Sequence, residues 1–212
     1  MAYIYTEGGY TIVHLPLISL KNGDVVEETL ELKIDPSGVV SGPFNTIQDA
    51  YGHVLGRLQR ALGEAEDFLD RLEYRLEIEE RVKPSEVYTA TRMAHVLHHA
   101  ALHIYNVGRE LWRRGLLPTR QLNYSKSLLK KAHYIKRYAR DIRILYTSLL
   151  ELSFESSMRR LTILGTVAVP ALLITGFYGM NLHWLPLADN PPAVFLILAA
   201  VTSVFALFIN KW

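Results

Sequence analysis

Along the chain, hydrophobic positions first alternate, then recur at helical spacing, and finally merge into runs without charge. Within residues 1–44, Leu30, Leu32 and Ile34 alternate with Thr29, Glu31 and Lys33, the period of a half-buried strand. Asn22-Gly23 stands between apolar runs and predicts a tight hairpin. Gly38, Gly42 and Pro43 close this small strand-rich unit. From Thr46 to about Val82 the period changes. Ile47, Tyr51, Val54, Leu58, Leu62, Ala65, Leu69, Leu72 and Leu76 recur by threes and fours, one face of an amphipathic helix. Asn45 and Gln48 are candidates for its capping box. Pro84-Ser85 breaks this helix and caps a second one reaching Gly115, with Val87, Ala90, Ala94, Leu97, Ala101, Ile104 and Leu111 as its apolar stripe. Residues 45–117 are therefore expected to form an antiparallel helical hairpin.

Pro118 opens a third segment that meets no further Pro or Gly before Gly165. A helix over 118–178 would be about 90 Å long. Its first part, 118–160, reads as a stalk. Its last part, 161–178, is the uncharged run LTILGTVAVPALLITGFY, and residues 191–209 form a second such run, PPAVFLILAAVTSVFALFI. The first would span about 27 Å, close to the hydrocarbon thickness of a bilayer. Beyond Arg160 only Asp189 and Lys211 carry charge. Two membrane spans are expected, joined by a loop at 179–190 and followed by a tail at 210–212. Arg159, Arg160 and Lys211 flank the spans, while the loop has neither Lys nor Arg. The positive-inside rule then puts both termini in the cytoplasm and the loop outside the cell membrane. Trp184 and Trp212 suit the two interfaces. The expected fold is a mainly α membrane protein with a small β-containing cytoplasmic unit. A helix as long as the third cannot bury itself in a monomer, so it also implies lateral partners.

Composition narrows the function. The 212 residues include 23 Lys+Arg and 21 Asp+Glu, a net charge of +2 that argues against a nucleic-acid binder. The absence of Cys excludes disulfides, thiolate metal sites and Cys nucleophiles. The start, Met1 to Glu7, lacks the basic and apolar stretches of a signal peptide. No nucleophile–base pair, carboxylate dyad or Walker motif is visible, so neither an enzyme nor a cofactor is expected. Charge is nonetheless unevenly placed. The first long helix ends acidic, with Glu64, Glu66, Asp67, Asp70, Glu73, Glu77, Glu79 and Glu80. The stalk is basic, with Lys126, Lys130, Lys131, Lys136, Arg137, Arg140 and Arg143 against Asp141. Two readings stand for the stalk: a solvated face, or pairing with the acidic hairpin and attraction to anionic lipid headgroups.

Tyr178-Gly179-Met180-Asn181 lies where the first run meets the loop. It accompanies Met158-Arg159-Arg160-Leu161-Thr162, a mid-span Pro170, a short loop and one further span. In this combination the chain resembles the CorA family of divalent-cation channels, well over 118–212 and in outline over the preceding hairpin. Residues 1–44 are shorter than the α/β part usual in that family. The resemblance implies a funnel-shaped homopentamer in which five copies of the first span line one pore. It implies passive uptake of Mg²⁺, with Co²⁺ or Ni²⁺ tolerated, and an intracellular domain that senses Mg²⁺. It also implies that Gly179, Met180 and Asn181 form the selectivity filter. Mg²⁺ sheds water reluctantly, so a ring of Asn181 amides would bond to its hydration shell without stripping it. Gly179 would permit a sharp turn, Met180 would pack the loop, and Asn181 also suits a helix C-cap.

Counting back along the helix, the resemblance gives a pore face of Gly176, Leu172, Val169, Gly165, Leu161, Met158 and Glu155. Leu161 and Met158 would form constrictions that close by dewetting; ordinary helix packing is the alternative. Gly165, Thr166 and Gly176 allow close approach between spans, and Pro170 removes a bond to Thr166. Some positions depart from the family. Glu155 stands where Asn is common, and it would either concentrate cations or pair with Arg159. The usual Met-Pro-Glu-Leu of the loop is Leu185-Pro186-Leu187-Ala188 here, which leaves Asp189, with His183, to attract cations outside. The basic tail is reduced to Lys211, and the family's regulatory Asp residues find no match.

His95, His98, His99 and His103 share the second helix, and His95, His99 and His103 fall on one stripe. A polar helix flank is the plainer reading; a metal site of these three would suit Zn²⁺, Co²⁺ or Ni²⁺ rather than Mg²⁺. The histidines motivate a second functional reading, a ZntB-like Zn²⁺ carrier with proton coupling. A third is a membrane-anchored helical scaffold that conducts nothing.

Overall fold

A computed structural model describes residues 3–21, 24–35, 39–41, 43–78, 81–179 and 190–210, excepting the side chains at 167, 170, 171, 174, 177, 178, 191, 202 and 205–210. Two compact units are present, Met1–Thr147 and Ser148–Trp212.

In the first unit, four strands form an antiparallel meander in the order β1 (Tyr3–Glu7), β2 (Tyr10–Lys21), β3 (Asp24–Ile34) and β4 (Val40–Ser41). Glu7 pairs with Tyr10 across Gly8-Gly9, whose φ values of 56° and 82° are those of a two-residue turn with both central residues left-handed. Lys21 pairs with Asp24, as the hairpin reading requires, although Asn22-Gly23 itself lies outside the described residues, as do Gly38 and Gly42. The alternation in β3 faces the core: Leu32 pairs with Val13, Leu30 with Leu15 and Ile34 with Thr11. Val13, Leu15, Ile18, Leu32 and Ile34 are buried.

Helix α1 (Ile47–Glu77) buries every member of the stripe read from the sequence. Its cap lies one residue later than expected. Thr46, not Asn45, is extended and accepts from the Asp49 N–H at 3.1 Å, and its hydroxyl donates to the Asp49 carboxylate at 2.7 Å. The helix also stops short of Val82. Glu77 faces the negative end of the helix dipole, which opposes extension, and Arg75 is the basic residue of the last turn. Glu79 and Glu80 lie outside the described residues.

Helix α2 (Pro84–Arg113) starts with Pro84 at its first position, where a missing N–H costs nothing. The cap is Lys83 rather than Ser85: the Glu86 carboxylate accepts from the Lys83 N–H at 2.8 Å. Glu86 also takes a two-pronged bond from Arg75 at 2.7 and 3.4 Å, which ties the end of α1 to the start of α2. The Arg75 bond first, and the Lys83 N–H second, hold this carboxyl below its usual pKa. At the other end, Gly115 adopts φ +73°. Its N–H bonds to Trp112 O and the Leu116 N–H to Leu111 O, both at 3.0 Å, the paired bonds of a glycine-terminated helix. The helix thus ends at Arg113, before the expected Gly115.

Helix α3 (Thr119–Tyr178) begins where Pro118 offers its carbonyl to Gln121 and Leu122. Within the first unit it carries a buried stripe of Leu128, Ala132, Ile135, Ala139 and Ile142. The side-chain bonds from α3 to α1 run in the same order along both helices, from Tyr124–Gln59 through Lys131–Glu66 to Tyr138 with Asp70 and Glu73. The expected need for lateral partners therefore applies to only part of α3, because its own chain covers it as far as Ile142.

In the second unit, α3 continues to Tyr178 and α4 spans Pro191–Asn210. Among the described residues no helix is long and apolar enough to cross a membrane. Both uncharged runs, 161–178 and 191–209, contain positions whose side chains lie outside the description.

The tightest joint of the hairpin is at Tyr51. Its phenol donates to Ile104 O at 3.0 Å, and a Cβ on Gly108 would sit 2.0 Å from the phenol oxygen. Burial of this side chain pushes its pKa up to about 12. Gly108→Ala should destabilise the protein by about 1–3 kcal/mol. Tyr51→Phe should cost about 1 kcal/mol. The double variant should lose less than the sum, because removing the phenol oxygen removes the worst clash. Urea unfolding of the four proteins checks this, and strict additivity would contradict it.

Candidate functional site

Seven positions, Glu155, Met158, Leu161, Gly165, Val169, Leu172 and Gly176, all lie on α3. At 100° per residue their spacing of threes and fours confines them to an arc of about 120°. All seven are exposed in the single chain, Leu161 at 62 % and Leu172 at 67 %. Off this arc, Leu164 is as exposed as those two. After Ile142 no described residue of α3 is buried. Covering a leucine of this kind would gain about 1.5–3 kcal/mol. The second unit therefore leaves uncovered the kind of apolar surface that membrane or partner contact normally covers.

The polar groups of this stretch are satisfied inside the helix. Thr162 donates to Met158 O at 2.9 Å and Thr166 to Thr162 O at 2.8 Å. Threonines bonded back in this way sit in an apolar run without needing water. Among the described residues, no atom outside the helix's own backbone lies within 4 Å of a Cβ added at Gly165 or Gly176, so the close approach expected of them has no described partner. Gly179 has a different constraint from the sharp turn expected. Its φ is not left-handed. Its N–H closes the helix on Thr175 O at 2.9 Å, and an added Cβ would lie 3.2 Å from that same oxygen. Crowding by carbonyls, rather than the sign of φ, is what glycine relieves there.

Among the described residues Glu155 makes no ion pair with Arg159; both side chains are exposed. Met180, Asn181, His183, Trp184, Leu185-Pro186-Leu187-Ala188, Asp189, Lys211 and Trp212 lie outside the described residues.

The histidines on α2 form the expected row. The His95 and His99 rings are 4.7 Å apart, and those of His99 and His103 are 6.4 Å apart. They do not converge. Among the described residues no group of three or more His, Cys, Asp or Glu side chains is placed to hold a metal ion, which corrects the metal reading of His95, His99 and His103. Glu27 of β3 lines the same small pocket as the three rings, but successive rings along a helix stripe stand side by side, and among the described residues they are not gathered around one point. The residue missed by spacing is His133 on α3, whose ring stands 5.7 Å from that of His98. No sequence signal joins these two, since only the packing of α3 on α2 brings them together. His98 Nδ1 is buried without a hydrogen-bond partner. Desolvation first, then Lys136, His133, His99 and His95, lowers its pKa.

Among the described residues the basic stalk pairs with the acidic hairpin at one point, Lys131 with Glu66 at 2.7 Å. The Tyr138 phenol, bonded to Asp70 and Glu73, has its pKa raised by burial and then by those carboxylates.

A family model described as CorA-like Mg²⁺ transporter protein matches residues 6–211. A cobalt/magnesium transport protein CorA of Methanocaldococcus jannaschii is 36 % identical over 62 residues, which is 29 % of this chain and 20 % of that protein. The matched segment thus spans a fifth of that relative's length. The structure of the CorA magnesium transporter from the same organism superposes with a TM-score of 0.63 at 17 % identity, covering 99 % of this chain and 77 % of the other. The full-length CmaX protein superposes with a TM-score of 0.67 at 17 % identity, covering 99 % and 76 %. The fold, an N-terminal sheet followed by long helices, is shared with both.

The His98 geometry sets a pH dependence. The unfolded chain takes up the proton near pH 6.5, whereas the folded protein holds this imidazole neutral to lower pH. Stability is therefore complete above about pH 6.5 and falls as pH drops through the window below it. His98→Gln should flatten that fall in urea melts between pH 7.5 and 5. An unchanged slope would contradict it.

Proposed function

Because this chain belongs to the family of CorA-like Mg²⁺ transporter proteins, we propose that it passes divalent cations, Mg²⁺ foremost, down the membrane potential through a homopentameric pore. Co²⁺ and Ni²⁺ are the further candidates; the name of the cobalt/magnesium relative supports Co²⁺. One observation carries the reading. Helix α3 is covered by its own chain as far as Ile142, and beyond it every described side chain is at least partly exposed, although the run is largely apolar. A helix built this way asks for lipid on one side and copies of itself on the other.

On this reading residues 161–178 and 191–209 cross the membrane with both termini inside, because Arg159, Arg160 and Lys211 flank them. The arc from Glu155 to Gly176 faces the axis. Met158 and Leu161 form apolar rings that stop ions when the pore dries. Asn181 presents neutral amide oxygens to an ion that keeps its first-shell water. Carboxylates would bind such an ion more tightly and slow its exit. Glu155 concentrates cations at the inner mouth, and Asp189 with His183 does so outside. A divalent cation gains about 4.6 kcal/mol per 100 mV of inside-negative potential, enough to drive uptake without a nucleotide-hydrolysing step.

Asn181→Ala should abolish selective Mg²⁺ flux into liposomes while leaving the oligomer intact by native mass spectrometry. Normal Mg²⁺ uptake by this variant would refute the filter. Flux of Zn²⁺ stimulated by a proton gradient, with none of Mg²⁺, would replace this reading with the ZntB-like one. Monomers or dimers without flux of any divalent ion would leave a scaffold.

A further inference from the structure

A cleft of about 920 Å³ opens in the first unit between the start of α2 and the middle of α3. Its origin is simple. The stripe that seats α3, Ala132, Ile135, Ala139 and Ile142, is buried. The row one position further round, His133, Lys136, Arg140 and Arg143, is thereby turned into the cleft, and Arg137 joins it. From α2, Arg92 and His95 face the same space. Among the described residues no carboxylate lines it.

Like charges held this close repel one another, and little nearby offsets them. Arg140 meets Asp141 at 3.5 Å and Arg92 meets Asp24 at 4.0 Å, both pairs exposed and of small worth. Lys136, Arg137 and Arg143 have no carboxylate within ion-pair distance among the described residues. The rest of the wall is Pro84, Val87, Tyr88 and Tyr146, with the hydroxyl side chains Thr91 and Thr147 among them; Tyr88 is 68 % exposed. Guanidinium groups match phosphate oxygens two at a time. Flat aromatic rings accept an apolar body beside them. The volume is that of a small-molecule site.

We infer that this cleft binds a phosphate ester carrying an aromatic or apolar group, its phosphates on Lys136, Arg137, Arg140 and Arg143 and its apolar part against Tyr88 and Tyr146. Two sources share that chemistry, a soluble nucleoside polyphosphate and an anionic lipid headgroup. The inference goes beyond conduction and does not depend on it, since every residue involved lies outside the arc from Glu155 to Gly176.

The test uses the full chain in phosphatidylcholine nanodiscs, with ATP and inorganic tripolyphosphate as probes in EDTA, followed by calorimetry. ATP should bind, and the double variant Arg137→Gln, Arg140→Gln should weaken it at least tenfold. Tyr88→Ala should weaken ATP several-fold and leave tripolyphosphate unchanged. All three side chains are exposed, so the fold should survive. Independently of any variant, 8-azido-ATP should label the segments 84–95 or 133–147 of the native protein. Nanodiscs doped with phosphatidylglycerol separate the sources. If they lower the apparent ATP affinity of the native chain tenfold but not that of the double variant, the headgroup is the occupant; if not, it is the soluble ester. Failure of ATP to bind in the undoped discs, equal affinity in the double variant, equal binding of ATP and tripolyphosphate regardless of Tyr88, or labelling elsewhere would overturn the inference.

Discussion

Everything in this chain depends on how apolar surface along one helix is covered. As far as Ile142, α3 seats a narrow stripe of small and branched residues on its own chain. Past that point the same helix offers large apolar side chains, Leu161, Leu164 and Leu172 among them, with nothing described to cover them. Water tolerates isolated apolar residues but not a long sleeve of them. The change in covering divides α3 into a part whose apolar stripe is covered by its own chain and a part in which no described residue is buried.

The first part is held by a few specific joints laid over a general hydrophobic fit. Tyr51 slots against Gly108, Glu86 closes the turn between α1 and α2 with Arg75 and the Lys83 N–H, and Gly115 ends α2. These joints fix direction, while the buried leucines supply most of the driving force. Charge plays a different part. One lysine of α3, Lys131, pairs with Glu66 on the acidic flank of α1, and the cations further along α3 face a cleft with α2. A solvated face would spread such charges apart, whereas this fold brings them together.

The chemistry suited to the second part follows from the ion. Mg²⁺ holds its water firmly and fits an octahedral shell. A passage for such an ion works best with neutral oxygen donors at the tip, apolar rings below and weak attraction at the mouths. On the proposed reading, Asn181 would supply the neutral donors, Leu161 and Met158 the apolar rings and Glu155 the attraction at the inner mouth. The histidines of α2 offer the opposite, soft nitrogen donors, but side by side and without closure.

Pattern alone determined a great deal. The alternation of Leu30, Leu32 and Ile34, the three-and-four spacing of α1 and α2, the onset of α3 after Pro118 and the uncharged runs are local properties, set by periods of two and 3.6 residues that a chain carries wherever it goes. The motif Gly179-Met180-Asn181 is equally local, and together with Met158-Arg159-Arg160-Leu161-Thr162, Pro170, the short loop and the second uncharged run it carried the resemblance to the family. Cap identity was less legible, because Asn45 and Thr46, or Lys83 and Ser85, differ by one residue of register that only backbone geometry decides. What no pattern could yield is the meeting of distant positions: His133 with His98, Tyr51 with Gly108, Arg92 with Arg140 across one cleft. Those depend on how three helices pack, and packing is settled by the shape of whole faces rather than by any spacing along the chain.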